Sequence, residues 1–383
     1  MKLSRITVLP LLLAAVFAFT GCKKTSKPQK RKKPTKRVKK NATSKRVAVR
    51  RAKPRPKPPE VDHPLLGKIM KPKAPTGDAL KQSNACVGAT DAKEPARTFK
   101  VGGTTYTQKG ASLVIKGSNQ KRKFVVGLIS SVNAANKANA NNWKAFIEKF
   151  KADKVDMVIA LGDLGSNFKD IRAFVLHLGH KQPWSLAVIP GNKDKQFVYN
   201  SVVAQASKLF PNLIDLSKVR HIKATGIEFV TLPGYYSDKF TVKENGCVYK
   251  AGDLKALAKL AKKARSKVAL ISHGPPKGSG KNAIDYAVDA NVGDAALTKF
   301  IKKNRKVRFG LFAHIQEAGG QGVGRRMKKI VKEGKASSYL FVNGGSSHAA
   351  GWKLNNNKDV KGMAMVVTFS RNKASYKTLY AGK

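Results

Sequence analysis

From Phe124 onward the chain alternates short apolar blocks with stretches of helical spacing. Phe124-Val125-Val126-Gly127-Leu128-Ile129 is a continuous apolar run of strand length, which predicts a buried strand. Asn142 to Ala152 places Trp143, Phe146, Ile147 and Phe150 on one helical face. The pattern then repeats: a strand over Val155 to Leu161, a helix over Phe168 to Leu178, a strand over Leu186 to Ile189, a helix over Phe197 to Leu209. Further on come a strand at Ile227 to Leu232, a helix at Asp253 to Ala264, a strand at Val268 to Ile271, a helix at Ala295 to Lys302 and a strand at Phe309 to Phe312. Strands alternating with helices at this interval predict βαβ units and an α/β fold, a layered β-sandwich flanked by helices. Tyr339 to Val342, Met363 to Phe369 and Ser375 to Tyr380 read as strands without helices between them, an antiparallel closing portion. Before Phe124 the signals weaken to short strands at Thr98 to Val101 and Ala111 to Ile115, with Gly102-Gly103 and Lys109-Gly110 as turns.

The N-terminal part has a different composition. Lys2 and Arg5 precede a mostly apolar stretch from Ile6 to Phe19, too short for a mature transmembrane helix and suited to a secretory signal. It ends in Phe19-Thr20-Gly21-Cys22, which resembles the lipobox of bacterial lipoproteins. That resemblance implies lipidation of Cys22, and Lys23 after it resembles lipoproteins sent to an outer membrane. Residues 23–60 hold 18 Lys or Arg against the single acid Glu60. Such a stretch cannot offset its ordering entropy and repels itself into an extended form. The expected organisation is therefore a signal peptide over 1–21, a basic Lys/Pro-rich disordered tether over 22–75, a lead-in over 76–122 and the α/β domain over 123–383.

Charge narrows the partners. The whole chain carries +54, and the part beyond residue 60 still has 56 cations against 21 acids, or +35. A basic run beside a membrane gains roughly 1 kcal/mol per cation near an anionic surface. The tether thus suits anionic lipid headgroups or an anionic envelope polymer, or it is a solvated spacer. It lacks the interleaved aromatics on which single-stranded nucleic acid stacks. Beyond Cys22, only Cys86 and Cys247 remain; in an oxidising compartment they make one disulfide or two separate buried thiols.

Four polar segments each close an apolar run: Gly162-Asp163, Gly191-Asn192-Lys193-Asp194, Ser272-His273-Gly274 and Ala313-His314-Ile315-Gln316. An α/β fold gathers the carboxyl ends of its strands along one edge, where ligands bind. Asp163, Asn192, His273 and His314 would then offer a carboxylate, an amide oxygen and two imidazoles, a mixed N/O set for one divalent transition metal such as Mn, Fe or Zn. Hydrogen-bonded residues with no metal are the other reading of the same four. His177 and His180, at a helix end, read as helix-terminal cations, and His221 and His348 have no partner pattern.

The order of these segments resembles the calcineurin-like metallophosphoesterases over roughly residues 123–370. Landmarks include Ser272-His273-Gly274-Pro275-Pro276, Asn291-Val292-Gly293-Asp294 and Asn343-Gly344-Gly345-Ser346. The resemblance implies that fold, a two-metal site at strand ends and phosphoester hydrolysis. By the same resemblance Asp163, Asn192, His273 and His314 form one complete metal site. The other has lost its ligands: Ser131 and Asn133 stand for the Asp and His of the Asp-x-His segment, and Gln316 for the last His. Lys193 stands where the family carries its catalytic His, and its ammonium could replace part of the missing charge near a phosphate. What the resemblance implies is an envelope-anchored protein of this fold with weak or absent hydrolysis. The alternatives are an inactive binding module for a phosphorylated or anionic ligand, and an envelope-structural lipoprotein.

Overall fold

Two β-sheets face one another, and the apolar blocks explain why both of their sides are covered. In the strand Lys123–Ile129, Phe124, Val126 and Leu128 point into the core between the sheets, while Val125 and Ile129 point to a second core beneath helices. A strand buried on both faces reads as an unbroken apolar run, unlike one with a solvated face. Val268–Ser272 does the same: Ala269 and Ile271 turn inward, and Val268 and Leu270 meet helices on the other side.

A computed structural model describes residues 61–79, 85–93, 95–117, 122–165, 167–242 and 246–382. The signal, Cys22 and the run through residue 60 lie outside the described residues. The six-stranded sheet has the order Lys373–Tyr380, Met363–Ser370, Lys123–Ile129, Met157–Ala160, Ser185–Val188, Leu213–Asp215. Its last four strands are parallel, and Met363–Ser370 closes it antiparallel to Lys123–Ile129. Helices Lys137–Ala152, Phe168–Gly179 and Gln196–Leu209 cover its outer face through Trp143, Phe174 and Val202. The nine-stranded sheet centres on the parallel strands Ile227–Leu232, Val268–Ser272, Val307–Phe312 and Leu340–Asn343, with helices Ala251–Lys263 and Ala295–Lys303 outside. The result is a four-layer α/β sandwich. Among the described residues, no helix is long and apolar enough to cross a membrane.

Several local expectations are corrected. Leu340–Asn343 does not join the closing strands Met363–Ser370 and Lys373–Tyr380; it lies in the other sheet, parallel to Val307–Phe312 and antiparallel to Gln321–Val323. The first helix begins at Lys137 because Asn136 caps it, its side chain accepting from the Asn139 amide. A strand over Thr104–Lys109 lies between the two expected short ones, joined by Gly102-Gly103, and the three extend the nine-stranded sheet. Its Thr-Thr-Tyr-Thr run carries β-propensity without an apolar block, and only Thr104, Tyr106 and Gln108 turn inward. The tether boundary at 75 also falls too late. Val61 and Ile69 are buried in the helix-side core, and Arg172 donates to the Leu66 carbonyl at 2.9 Å.

The histidines away from the strand ends are not free cations. His221 is buried and its Nε2 lies 2.7 Å from Glu228 Oε2. His177 donates through Nδ1 to the Ala173 carbonyl at 2.8 Å, and the His63 ring packs 5.1 Å from His177 and 5.3 Å from His180. Burial, then the His177 and His180 charges, lowers the His63 pKa to about 4 against the opposing pull of Asp62. Burial lowers His177 and His180 as well, with Lys144 and Lys181 adding to it. A base with a depressed folded pKa binds protons more readily when unfolded, so acidification between about pH 6.5 and 4 destabilises the fold. The melting temperature is expected to fall across that window. His63→Gln should flatten the dependence; an unchanged slope by circular dichroism would remove His63 from it.

Candidate metal centre

Each candidate ligand lies just past the carboxyl end of a parallel strand. Met157–Ala160 leads to Asp163, Ser185–Val188 to Asn192, Val268–Ser272 to His273 and Val307–Phe312 to His314. The first two strands belong to one sheet and the last two to the other, so the site joins both. The glycines are there for close approach. A Cβ on Gly162 would lie 2.5 Å from His273 Nδ1, and one on Gly191 would lie 2.4 Å from Asp163 Oδ1. Asp163 (2% exposed), Asn192 (2%) and His273 (0%) are sealed in.

Hydrogen bonds determine which atoms face the centre. His273 Nδ1 lies 2.6 Å from the Leu161 carbonyl, an acceptor that requires a proton on Nδ1, so Nε2 is the ring nitrogen that faces the centre. His273 Nε2 lies 2.9 Å from Asn192 Oδ1, 3.1 Å from His314 Nδ1 and 3.4 Å from Asp163 Oδ1. Asn192 cannot turn its amide hydrogens inward because Nδ2 donates to the Phe240 carbonyl. Burial, then His273 and Lys193, lowers His314 to about 3, so its imidazole is neutral at physiological pH. The centre is thus a convergence of nitrogen and oxygen atoms that can each act as a metal ligand. A cation satisfies such a set, and the donors fit a divalent metal. Among the described residues, Asp163, His273 and His314 bring one ligand atom each within 4.8 Å of one another.

The surrounding loops are built to hold this arrangement. Asp194 is buried and its carboxylate accepts from the backbone N–H groups of Asp163 (2.9 Å), Leu164 (2.8 Å), Gly165 (3.2 Å) and Gly191 (2.7 Å). Burial and the Asp163 charge push its carboxyl up, and the N–H donors oppose them. Non-glycine residues with positive φ cluster here: Ser131 (48°), Asn133 (61°), Asp163 (55°) and His314 (67°). Backbone strain of this kind gathers at functional sites and typically costs about 1–3 kcal/mol per residue.

The other expected positions lie around the four. Ser131 N–H donates to the Gly162 carbonyl at 3.1 Å, and Val132 N–H to the Asp163 carbonyl at 2.9 Å, so this loop abuts the centre. The Ser131 hydroxyl is buried without a hydrogen-bond partner among the described residues. Asn133 turns its Nδ2 back to the Ser131 carbonyl. Lys193 donates its backbone N–H to Asp163 Oδ1 at 3.0 Å, and its charge adds to burial in lowering His348. Gln316 is buried and opens a short 3-10 helix, Gln316–Ala318, two residues after His314. Cys86 and Cys247 are joined in a disulfide with Cα atoms 5.4 Å apart. The sequence does not single out Tyr235, whose ring lies 4.2 Å from that of His314. Its position is the available signal, since Gly234-Tyr235 also lies just past a strand end.

Residues 132–318 match the family profile of the calcineurin-like phosphoesterases. This segment is a calcineurin-like phosphoesterase domain. Its limits enclose Asp163, Asn192, His273 and His314. The fold of the domain is also similar to solved structures. GAP50, the anchor in the inner membrane complex of Plasmodium, is 15% identical over 69% of this chain and 86% of its own, with a TM-score of 0.44. Purple acid phosphatase PPD1 from yellow lupin is 10% identical over 73% and 54%, with a TM-score of 0.47. A dimetal phosphatase from Danio rerio is 12% identical over 67% and 99%, with a TM-score of 0.43. Comparison with curated proteins gives no match. Metal dependence and phosphoric ester hydrolysis are the class properties of this phosphoesterase family, and the domain carries the partial site that goes with them.

Proposed function

We propose that this phosphoesterase domain binds a single divalent metal through Asp163, Asn192, His273 and His314 and uses it to hold a phosphate ester, with hydrolysis weak or absent. The observation that carries this reading is the ring of ligand atoms, Asn192 Oδ1, His314 Nδ1 and Asp163 Oδ1, around His273 Nε2. When bound there, the metal would supply a Lewis acid for phosphate oxygens. Lys193 adds an ammonium on the side where its charge reaches His314 and His348. Ser131, Asn133 and Gln316 offer a hydroxyl and two amides where the family resemblance calls for a carboxylate and two imidazoles, a poor set for a second cation. Absence of the family's catalytic imidazole removes a proton donor, an effect typically worth about 10²–10⁴-fold. In this proposal the domain sits in the bacterial envelope, on an outer-membrane lipid anchor facing the periplasm or the cell surface; the signal-like N-terminus and the lipobox at Cys22 support it. The basic run to residue 60 engages anionic polymer or headgroups.

The test is a metal count on purified protein with turnover of bis-p-nitrophenyl phosphate in Mn²⁺. One equivalent of metal and little or no turnover are expected. Ser131→Asp/Asn133→His/Lys193→His/Gln316→His should raise both the stoichiometry towards two and the rate by about a hundredfold or more. Two metals in the natural sequence, with fast turnover, would defeat the proposal. A pure binding role is favoured over slow catalysis if turnover is nil while a phosphate ester still binds in a metal-dependent way.

A further inference from the structure

A second concave site lies at the opposite edge of the nine-stranded sheet. It is a cavity of about 670 Å³ whose lining includes Lys302, Arg305, Arg325, Arg326 and Lys328, and no carboxylate. Val307, also in its wall, opens the strand whose far end carries His314. At about 3.3 Å per residue the two sites are roughly 20 Å apart. None of the five cations has a carboxylate partner among the described residues.

The cations come from separate elements held together by close packing. Lys302 and Arg305 belong to the C-terminal end of helix Ala295–Lys303 and the turn after it, where positive side chains are favoured anyway. Arg325, Arg326 and Lys328 come from the turn after strand Gln321–Val323, so the helix terminus does not account for them. The Ser279 N–H donates to the Met327 carbonyl at 3.4 Å, and a Cβ on Gly278 would lie 2.8 Å from the same oxygen, which draws a third segment into the wall. On the floor, Tyr339 has the guanidinium carbons of Arg308 and Arg325 each 5.2 Å from its ring centroid. The Arg308 Nε is buried without a hydrogen-bond partner among the described residues.

We infer that this cavity binds a compact anion with adjacent phosphates, a phosphate chain of the pyrophosphate or tripolyphosphate kind. The volume is that of a small-molecule site. Filling it against five cations takes several negative charges in little space. Phosphate groups supply that density, and guanidinium forks match their oxygens in pairs. Two guanidinium groups lie 5.2 Å from the Tyr339 ring centroid and would compete with an aromatic base for that ring. The inference is independent of the metal centre and holds whether or not that centre is catalytic.

Hydrogen–deuterium exchange on the full chain with tripolyphosphate, in EDTA so that metal-bound ligand makes no contribution, reads the cavity separately from the basic N-terminal run. Protection is expected over residues 302–308 and 325–328, with a midpoint concentration at least tenfold lower than for inorganic phosphate. Arg325→Ala/Arg326→Ala should raise the midpoint read at 302–308 by tenfold or more. Lys100→Ala/Lys116→Ala removes the same charge from the far end of the sheet and should change it less than twofold. Protection confined to residues before 61, equal midpoints for the two anions, or equal effects of the two double variants would overturn the inference. Matched melting temperatures for all variants establish that each is folded.

Discussion

Asp163→Asn is expected to weaken Mn²⁺ binding by about a hundredfold or more, and His273→Ala to leave no metal after purification. Loss of a residue that merely supports a metal ligand costs about 10–100-fold in affinity, and in the proposed site these two would supply ligand atoms themselves. The Asp163 carboxylate is the only formal negative charge among the four ligands, and it is 2% exposed. A cation beside it would compensate a buried charge whose Oδ1 meets, among the described residues, the Lys193 N–H and the His273 imidazole. Asparagine keeps the shape and removes the charge, so its effect on the fold should be small. His273→Ala also opens a void and strands the Leu161 carbonyl, so it should lower the melting temperature too. Titration calorimetry with Mn²⁺ and metal analysis give the two numbers. Equal affinity in Asp163→Asn would show that these residues are only hydrogen-bonded structure.

Removing the disulfide with Cys86→Ser/Cys247→Ser is expected to cost about 2–5 kcal/mol of stability and to weaken Mn²⁺ binding roughly tenfold. The bond closes a loop with a sequence separation of 161, the long-loop regime in which the chain-entropy effect is largest. The second effect has a structural route. The Cys247 carbonyl accepts from the Tyr235 N–H at 3.0 Å, and the Val242 N–H donates to the Asn192 carbonyl at 3.1 Å. Between them, the Phe240 carbonyl holds the Asn192 amide so that Oδ1 faces the centre. Ala85, next to Cys86, is itself held by Gln196 and Asn200 on the helix Gln196–Leu209. Release of the bond is therefore expected to loosen this strap, the contacts of Phe240 and Val242 that orient Asn192, one candidate ligand. Denaturant unfolding and calorimetry on the double variant separate the effects. Lower stability with unchanged metal affinity would remove the strap from the account of the site.

Much of the fold is legible in the sequence. Runs such as Phe124 to Ile129 are apolar because two cores claim alternate residues, and the polar segment closing each run is carried to the shared edge at which parallel strands end. That edge is why Asp163 and His314 meet across 151 positions of sequence. Contacts made through main-chain atoms are not legible. Nothing in the letters says that the Phe240 carbonyl would turn Asn192, or that Leu161 would choose the tautomer of His273. Tyr235 reads as one more apolar residue until its neighbour is known. His63 lies in a stretch whose Lys and Pro content suggests tether, yet two imidazoles of a distant helix end receive it.

Asp194 has a consequence for how the centre is filled. One buried carboxylate ties the loop of Asp163 to the loop of Asn192 through four N–H groups, none of which needs a metal. The candidate site is thus assembled by folding, and capture of the proposed ion would be a docking event with little reordering to offset. If the proposed metal binds there, a chelator should strip it and added metal should reload it without refolding. In the proposed reading, the identity of the bound metal would then track the supply around the protein more than the history of the chain.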